Sequence, residues 1–170
     1  MSETETAVFK IYIRASIEDV WKEITRQDKA QGCFFNAWLH VDRLEEGGQY
    51  RMRTEDGKHT MVTGEILTFE PPHKYAHTFK FTQYDDDPCT VTYELTEKDG
   101  GVEFVLTAEG IPAGTQTAKG MKQGGDFIVK TLKQIVEDGQ PAWGTRVMYK
   151  CYKWFQFMLP KKTRTENWPL

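Results

Sequence analysis

Tyr75, His77, Phe79 and Phe81 alternate with Ala76, Thr78 and Lys80. The same two-residue period returns over residues 8–14, 39–44, 49–53, 61–69, 90–96 and 102–109. Side chains that repeat every second residue share one face of a strand. Turn signals separate the segments: Glu46-Gly47-Gly48, Asp56-Gly57, Pro71-Pro72, Asp85-Asp86-Asp87-Pro88 and Asp99-Gly100-Gly101. Glycine permits the left-handed backbone of tight hairpins, and proline donates no ladder hydrogen bond. Six or seven strands at this spacing predict an antiparallel meander, apolar on one face and solvated on the other.

Two helical patterns interrupt the meander. Ser16-Ile17-Glu18-Asp19 resembles a capping box, and Ile17, Val20, Trp21 and Ile24 follow at helical spacing. Residues 110–120 read as a loop. Met121, Gly125, Ile128, Leu132, Ile135 and Val136 then form one stripe of a helix over residues 121–138. Gly139 and Pro141 stand where a helix ends. Gly124 and Gly125 each cost such a helix about 1 kcal/mol, which suits a helix entry or a close crossing of the sheet. A short and a long helix cannot cover both faces of such a sheet. The predicted fold class is therefore α+β: a helix-grip, in which a curved six- to seven-stranded antiparallel sheet wraps around the long helix and a cavity remains between them.

The order of these elements resembles the START-like, or SRPBCC, superfamily, which includes the birch-pollen-allergen fold. Within it the resemblance is closest to bacterial homologues of the heat-shock ATPase activator. It rests on Ala15-Ser16-Ile17-Glu18-Asp19-Val20-Trp21, Glu46-Gly47-Gly48-Gln49-Tyr50-Arg51-Met52, Gly64-Glu65-Ile66-Leu67-Thr68-Phe69-Glu70-Pro71-Pro72 and the stretch from Gly124 to Gly139. The resemblance implies a deep cavity and no shared catalytic residues. Members bind lipids, sterols, polyketides or plant hormones, and a few are cyclases or co-chaperones. The chain departs from the usual pattern at residues 31–38, which are expected to shape the cavity mouth. It departs again at residues 141–170, which run past the usual end. The expected organisation is a helix-grip domain over 1–140 and an aromatic, basic helical extension over 141–170.

Composition narrows the function. Hydrophobic residues are 39% and charged residues 28% of 170, ordinary for a soluble globule. The net charge of −3 advertises no polyanion partner, and no nucleic-acid module is recognisable. The charge is unevenly spread. Residues 141–170 carry six basic side chains against Glu166, a balance of +5, so residues 1–140 carry −8. Three cysteines, Cys33, Cys89 and Cys151, are too few and too scattered for a disulfide framework or a CxxC site. The opening stretch lacks an apolar signal core, so a cytoplasmic location is expected.

The residues expected to line a ligand site are Phe35, Trp38, Tyr50, Met52, His77, Phe79, Phe81, Tyr93, Phe104, Met121 and Ile128. Buried aromatics with polar tips, such as Tyr50, Tyr93 and His77, suit an apolar pocket with a few polar groups. No catalytic residue, metal or cofactor is expected. His73 and His77 lie along a strand, and His40 and His59 supply no matching third ligand. Of the strand carboxylates, Glu94, Glu103 and Glu109 fall on the outward phase and Glu65 on the inward one. Residues 142–160 place Trp143, Val147, Met148, Cys151, Trp154, Phe155 and Met158 on one helical stripe, for packing on the same chain, a second subunit or a protein partner. An anionic membrane surface is the less favoured reading of that stripe. The expected function is non-enzymatic binding of a small apolar or amphipathic ligand. The alternatives are a co-chaperone-like interaction module and a cyclase- or dehydratase-type enzyme using His77 or a pocket tyrosine.

Overall fold

The computed structural model describes residues 3–170. Its strands are β1 (Thr4–Ile13), β2 (Trp38–Val41), β3 (Gln49–Arg53), β4 (Thr60–Glu70), β5 (Lys74–Phe81), β6 (Cys89–Lys98) and β7 (Gly101–Pro112). They form one sheet in the order β1-β7-β6-β5-β4-β3-β2, every pair antiparallel. Each neighbour in sequence is a neighbour in space except β1, which closes onto β7. Breaks in register within β1–β7, β3–β4 and β4–β5 mark bulges, the usual device for bending a sheet.

The short helix α1 (Ile17–Thr25) begins at Ser16, whose hydroxyl accepts from the Asp19 N–H at 3.1 Å. It buries Ile17, Val20 and Ile24. The long helix α2 (Gln116–Asp138) starts five residues before the stripe predicts. The Thr115 hydroxyl accepts from the Ala118 N–H and so caps the helix inside the segment read as a loop. Residues 110–112 of that segment belong to β7, and 113–115 make the turn between the two elements. At the far end Gly139 takes φ 80° and donates to the Ile135 carbonyl, a standard glycine stop.

Ala118, Met121, Gly125, Val129 and Leu132 are the buried stripe of α2. They meet a core of Ile13, Val102, Phe104, Leu106 and Ile111. The helix comes so near β1 that a Cβ on Gly125 would lie 2.1 Å from the Phe9 ring. Glycine at this point is a requirement of packing.

Residues beyond Gly139 form α3 (Trp143–Phe155) and three short 3-10 turns. The helix predicted over 142–160 stops early because Pro160 disfavours helical backbone at Leu159, and a 3-10 turn takes up Gln156–Met158. The chain then crosses to the outer side of the hairpin between β3 and β4. Arg164 bridges to His59, and the Thr165 N–H donates to the Lys58 carbonyl at 2.9 Å. Thr163 is fully buried there, its hydroxyl 2.8 Å from the His59 Nδ1. Arg51 and Arg53 donate to the carbonyls of Pro169 and Trp168.

The two adjacent glycines of α2 should respond oppositely to alanine. Overpacking costs ~1–3 kcal/mol and outweighs the ~1 kcal/mol helix-propensity gain at Gly125, so Gly125→Ala should destabilise. A Cβ on Gly124 meets the Phe35 ring at an ordinary 3.7 Å. Gly124→Ala should therefore stabilise by ~0.5–1 kcal/mol, as urea denaturation of the two variants will show.

Candidate functional site

Because α2 lies against β1, the inner face of β2 to β6 is left uncovered by it. That face, α2, the loop over residues 31–37 and α3 enclose a cavity of about 680 Å³, well within the range that holds a small organic ligand. Phe35, Tyr50, Met52, His77, Phe79, Phe81, Tyr93, Met121 and Ile128 all stand on its wall.

Trp38 and Phe104 do not. Leu39 takes the inner phase of β2 and is 4% exposed, so Trp38 faces the other side of the sheet. The loop before it sets that phase: Gln31 pairs with Ala37 across two left-handed residues, Phe35 and Asn36. Phe104 has the expected phase on β7, but α2 is closest on that side and leaves no space. It is fully buried and stacks on Tyr93 with centroids 5.7 Å apart. Glu65, assigned inward from its phase, is exposed and accepts from the Gln49 amide at 3.1 Å.

Other wall residues escaped the sequence reading. Tyr75 shares the phase of His77 and could have been found from it. Gln31 lies in an irregular loop; its buried amide donates to the Ile24 carbonyl at 3.0 Å and finishes α1. Met148, Tyr149, Tyr152 and Phe155 come from α3, which roofs the cavity. The single stripe expected on this helix is divided. Met148 and Phe155 turn to the cavity, whereas Trp143, Val147 and Trp154 are exposed away from it.

Polar groups are few inside and charged groups stand at the mouth. Lys153 pairs with Glu55 at 2.9 Å, and Glu55 also accepts from Asn36. Tyr149 donates to the Gly32 carbonyl, and Phe127 stacks on Phe35 at 4.6 Å. The Tyr149 bond and the Lys153–Glu55–Asn36 chain tie α3 to the loop beneath it, and the Phe127 stack ties α2 to the same loop. Deeper, the His77 ring lies among Tyr50, Tyr75 and Tyr93 with centroids 4.9, 5.0 and 5.4 Å away. Its Nδ1 is 2.9 Å from the Tyr50 hydroxyl and 3.1 Å from the Thr78 carbonyl. A carbonyl only accepts, so the proton belongs on Nδ1, and the Tyr50 hydroxyl donates to the same carbonyl at 2.8 Å. Nε2 is thereby a bare acceptor. Burial lowers the His77 pKa to about 4 and raises those of Tyr50, Tyr75 and Tyr93. The whole cluster is neutral near pH 7. Among the described residues, no three His, Cys, Asp or Glu side chains gather as metal ligands would.

Residues 14–137 match the family described as Activator of Hsp90 ATPase homolog 1-like protein. The chain belongs to that family. Its fold is the START-like helix-grip, and solved structures agree. Protein MLL2253 from Mesorhizobium loti superposes with a TM-score of 0.66 at 20% identity, over 79% of this chain and 98% of its own. CalU16 from Micromonospora echinospora gives 0.60 at 17%, over 86% and 83%. An Aha1 dimer from Colwellia psychrerythraea gives 0.64 at 12%, over 78% and 96%. No curated protein matches the chain. The family match ends just before Asp138, so α3, and with it the roof of the cavity, lies outside the matched region.

The buried imidazole makes the stability of the protein pH-dependent. His77 titrates near 4 when folded against an ordinary 6.5, so its contribution is complete above pH 6.5 and is lost as pH falls toward 4. Between those limits the wild type should lose ~3 kcal/mol more unfolding free energy than His77→Gln, measured by chemical denaturation across the pH series.

Proposed function

We propose that the protein binds a small apolar or amphipathic molecule in this cavity and does not transform it. The observation that carries the reading is the contrast between a neutral, aromatic interior and a charged mouth. His77, Tyr75 and Tyr93 line the interior, where a neutral imidazole protonated on Nδ1 can accept at Nε2 and un-ionised phenols can donate. Those groups suit a neutral oxygen function, such as a hydroxyl or carbonyl, at the buried end of the ligand. Apolar contact would supply most of the affinity, at ~25 cal/mol per Å² buried. A charged end fits only at the mouth, beside Lys153 and Glu55.

The same groups are poorly matched to acid–base catalysis. A histidine with a pKa of about 4 is a weak proton acceptor, and phenols pushed above their ordinary value are weak donors. This favours binding over a cyclase or dehydratase reaction. We take residues 1–140 as the binding domain and 141–170 as an extension that roofs it. We also infer a cytoplasmic setting, which three free cysteines support. Residues 142–160 offer a second surface. Self-association through them is the competing use of that segment, a dimer being named for the Colwellia protein, and a co-chaperone-like partner would use it too.

Native mass spectrometry of protein purified from its own host, followed by solvent extraction, tests the reading. A stoichiometric small molecule is expected. Phe81 is half-buried and lines open space, so Phe81→Ala should weaken binding of the extracted molecule ~10–30-fold while costing less than ~2 kcal/mol of stability. Intact binding in this variant would remove the cavity as the site.

A further inference from the structure

Exposed apolar side chains scattered singly over a protein need no explanation, but a contiguous patch does. Trp154 and Phe157 are each 81% exposed, Trp143 73% and Met158 67%. Trp143, Val147 and Trp154 share one face of α3, and Phe157 and Met158 continue the patch beyond its end. The opposite face of the same helix is also apolar, because it roofs the cavity. A helix with two apolar sides has only one of them covered by this chain.

The charge around the patch limits what covers the other. From Gly139 to Thr165 there is no acidic residue, whereas Arg146, Lys150, Lys153, Lys161, Lys162 and Arg164 are all basic. Lys153 is held by Glu55 and Lys162 by Asp85. Lys150 and Lys161 make no ion pair among the described residues and flank Trp154, Phe157 and Met158 in sequence. A twofold dimer through this face would set basic rim against basic rim. An anionic bilayer surface complements it: tryptophan and phenylalanine settle at the level of the head groups while lysines meet lipid phosphates. No helix among the described residues is long and apolar enough to cross a membrane, so any such contact is peripheral.

We propose that α3 and the turn after it dock the protein on an anionic lipid surface, with Trp154, Phe157 and Met158 entering the interface and Lys150 and Lys161 binding lipid phosphates. The docking face and the roof of the cavity are then two sides of one helix. The proposal does not depend on what the cavity holds.

Co-sedimentation with vesicles tests it. The full chain should bind vesicles of phosphatidylcholine mixed with phosphatidylglycerol, bind phosphatidylcholine alone far more weakly, and be released by salt. Trp154→Ala with Phe157→Ala should lower the partition coefficient ~tenfold or more, with melting temperature unchanged because both rings are solvent-exposed. Lys150→Glu with Lys161→Glu should act similarly. Phe81→Ala, which alters only the cavity wall, should bind the vesicles as the wild type does, so failure of cavity binding and failure of docking are read separately. Absence of binding to anionic vesicles, or binding indifferent to the Trp154 and Phe157 changes, overturns the proposal. A wild-type dimer in sedimentation velocity that becomes monomeric in the Trp154, Phe157 variant and ignores the vesicles overturns it in favour of a second copy.

Discussion

The approach of α2 to β1 decides where everything else can lie. At Gly125 the helix backbone comes within contact of the Phe9 ring, closer than any side chain would allow. The helix is thereby committed to the edge of the sheet formed by β1 and β7. The strands at the other edge bend inward but have no helix to meet. Their inner side chains, Tyr50, His77, Phe79 and Phe81 among them, face the cavity. Filling that volume with core would need a helix bearing larger side chains, set further from β1. The empty space is thus the geometric remainder of one close contact.

Burial inside the cavity and exposure at its mouth divide the chemistry between them. In the interior, desolvation holds the imidazole unprotonated and the phenols protonated, and the aromatic rings pack edge to face. A molecule entering meets charge only at the opening and none beyond it. There Glu55 joins Lys153 of the roof to Asn36 of the loop below. An ion pair so placed is exposed and weak. It suits a contact that closes and opens better than one that stabilises the fold.

The strand phases were legible in the sequence because the sheet has one wet face and one dry face, and alternation reports that directly. Nine of the eleven side chains picked out by phase or position reach the cavity wall. The two that do not fail for different reasons. Trp38 follows Phe35 and Asn36, whose left-handed backbone resets the phase of the strand they precede, and no periodicity precedes β2 to reveal it. Phe104 has the right phase, but one face of a sheet contains both core and cavity, and only the position of α2 separates them. The roof was illegible for a third reason. A helix apolar on two sides reads as one broad stripe, and periodicity cannot tell which part turns inward.

The last residues give that roof an unusual mechanical character. At one end α3 follows directly from α2, with the Ala142 N–H held by Gln134 at 3.1 Å. At the other the chain is fastened to the outer side of the β3–β4 hairpin by buried Thr163 and by the bridge from Arg164 to His59. A strap secured at both ends cannot swing clear like a flap on a hinge. It can only roll about the line joining its fastenings, and any roll that lifts Phe155 from the opening turns Trp154 in the same sense. Access to the cavity and the aim of the outward aromatics are therefore one coordinate.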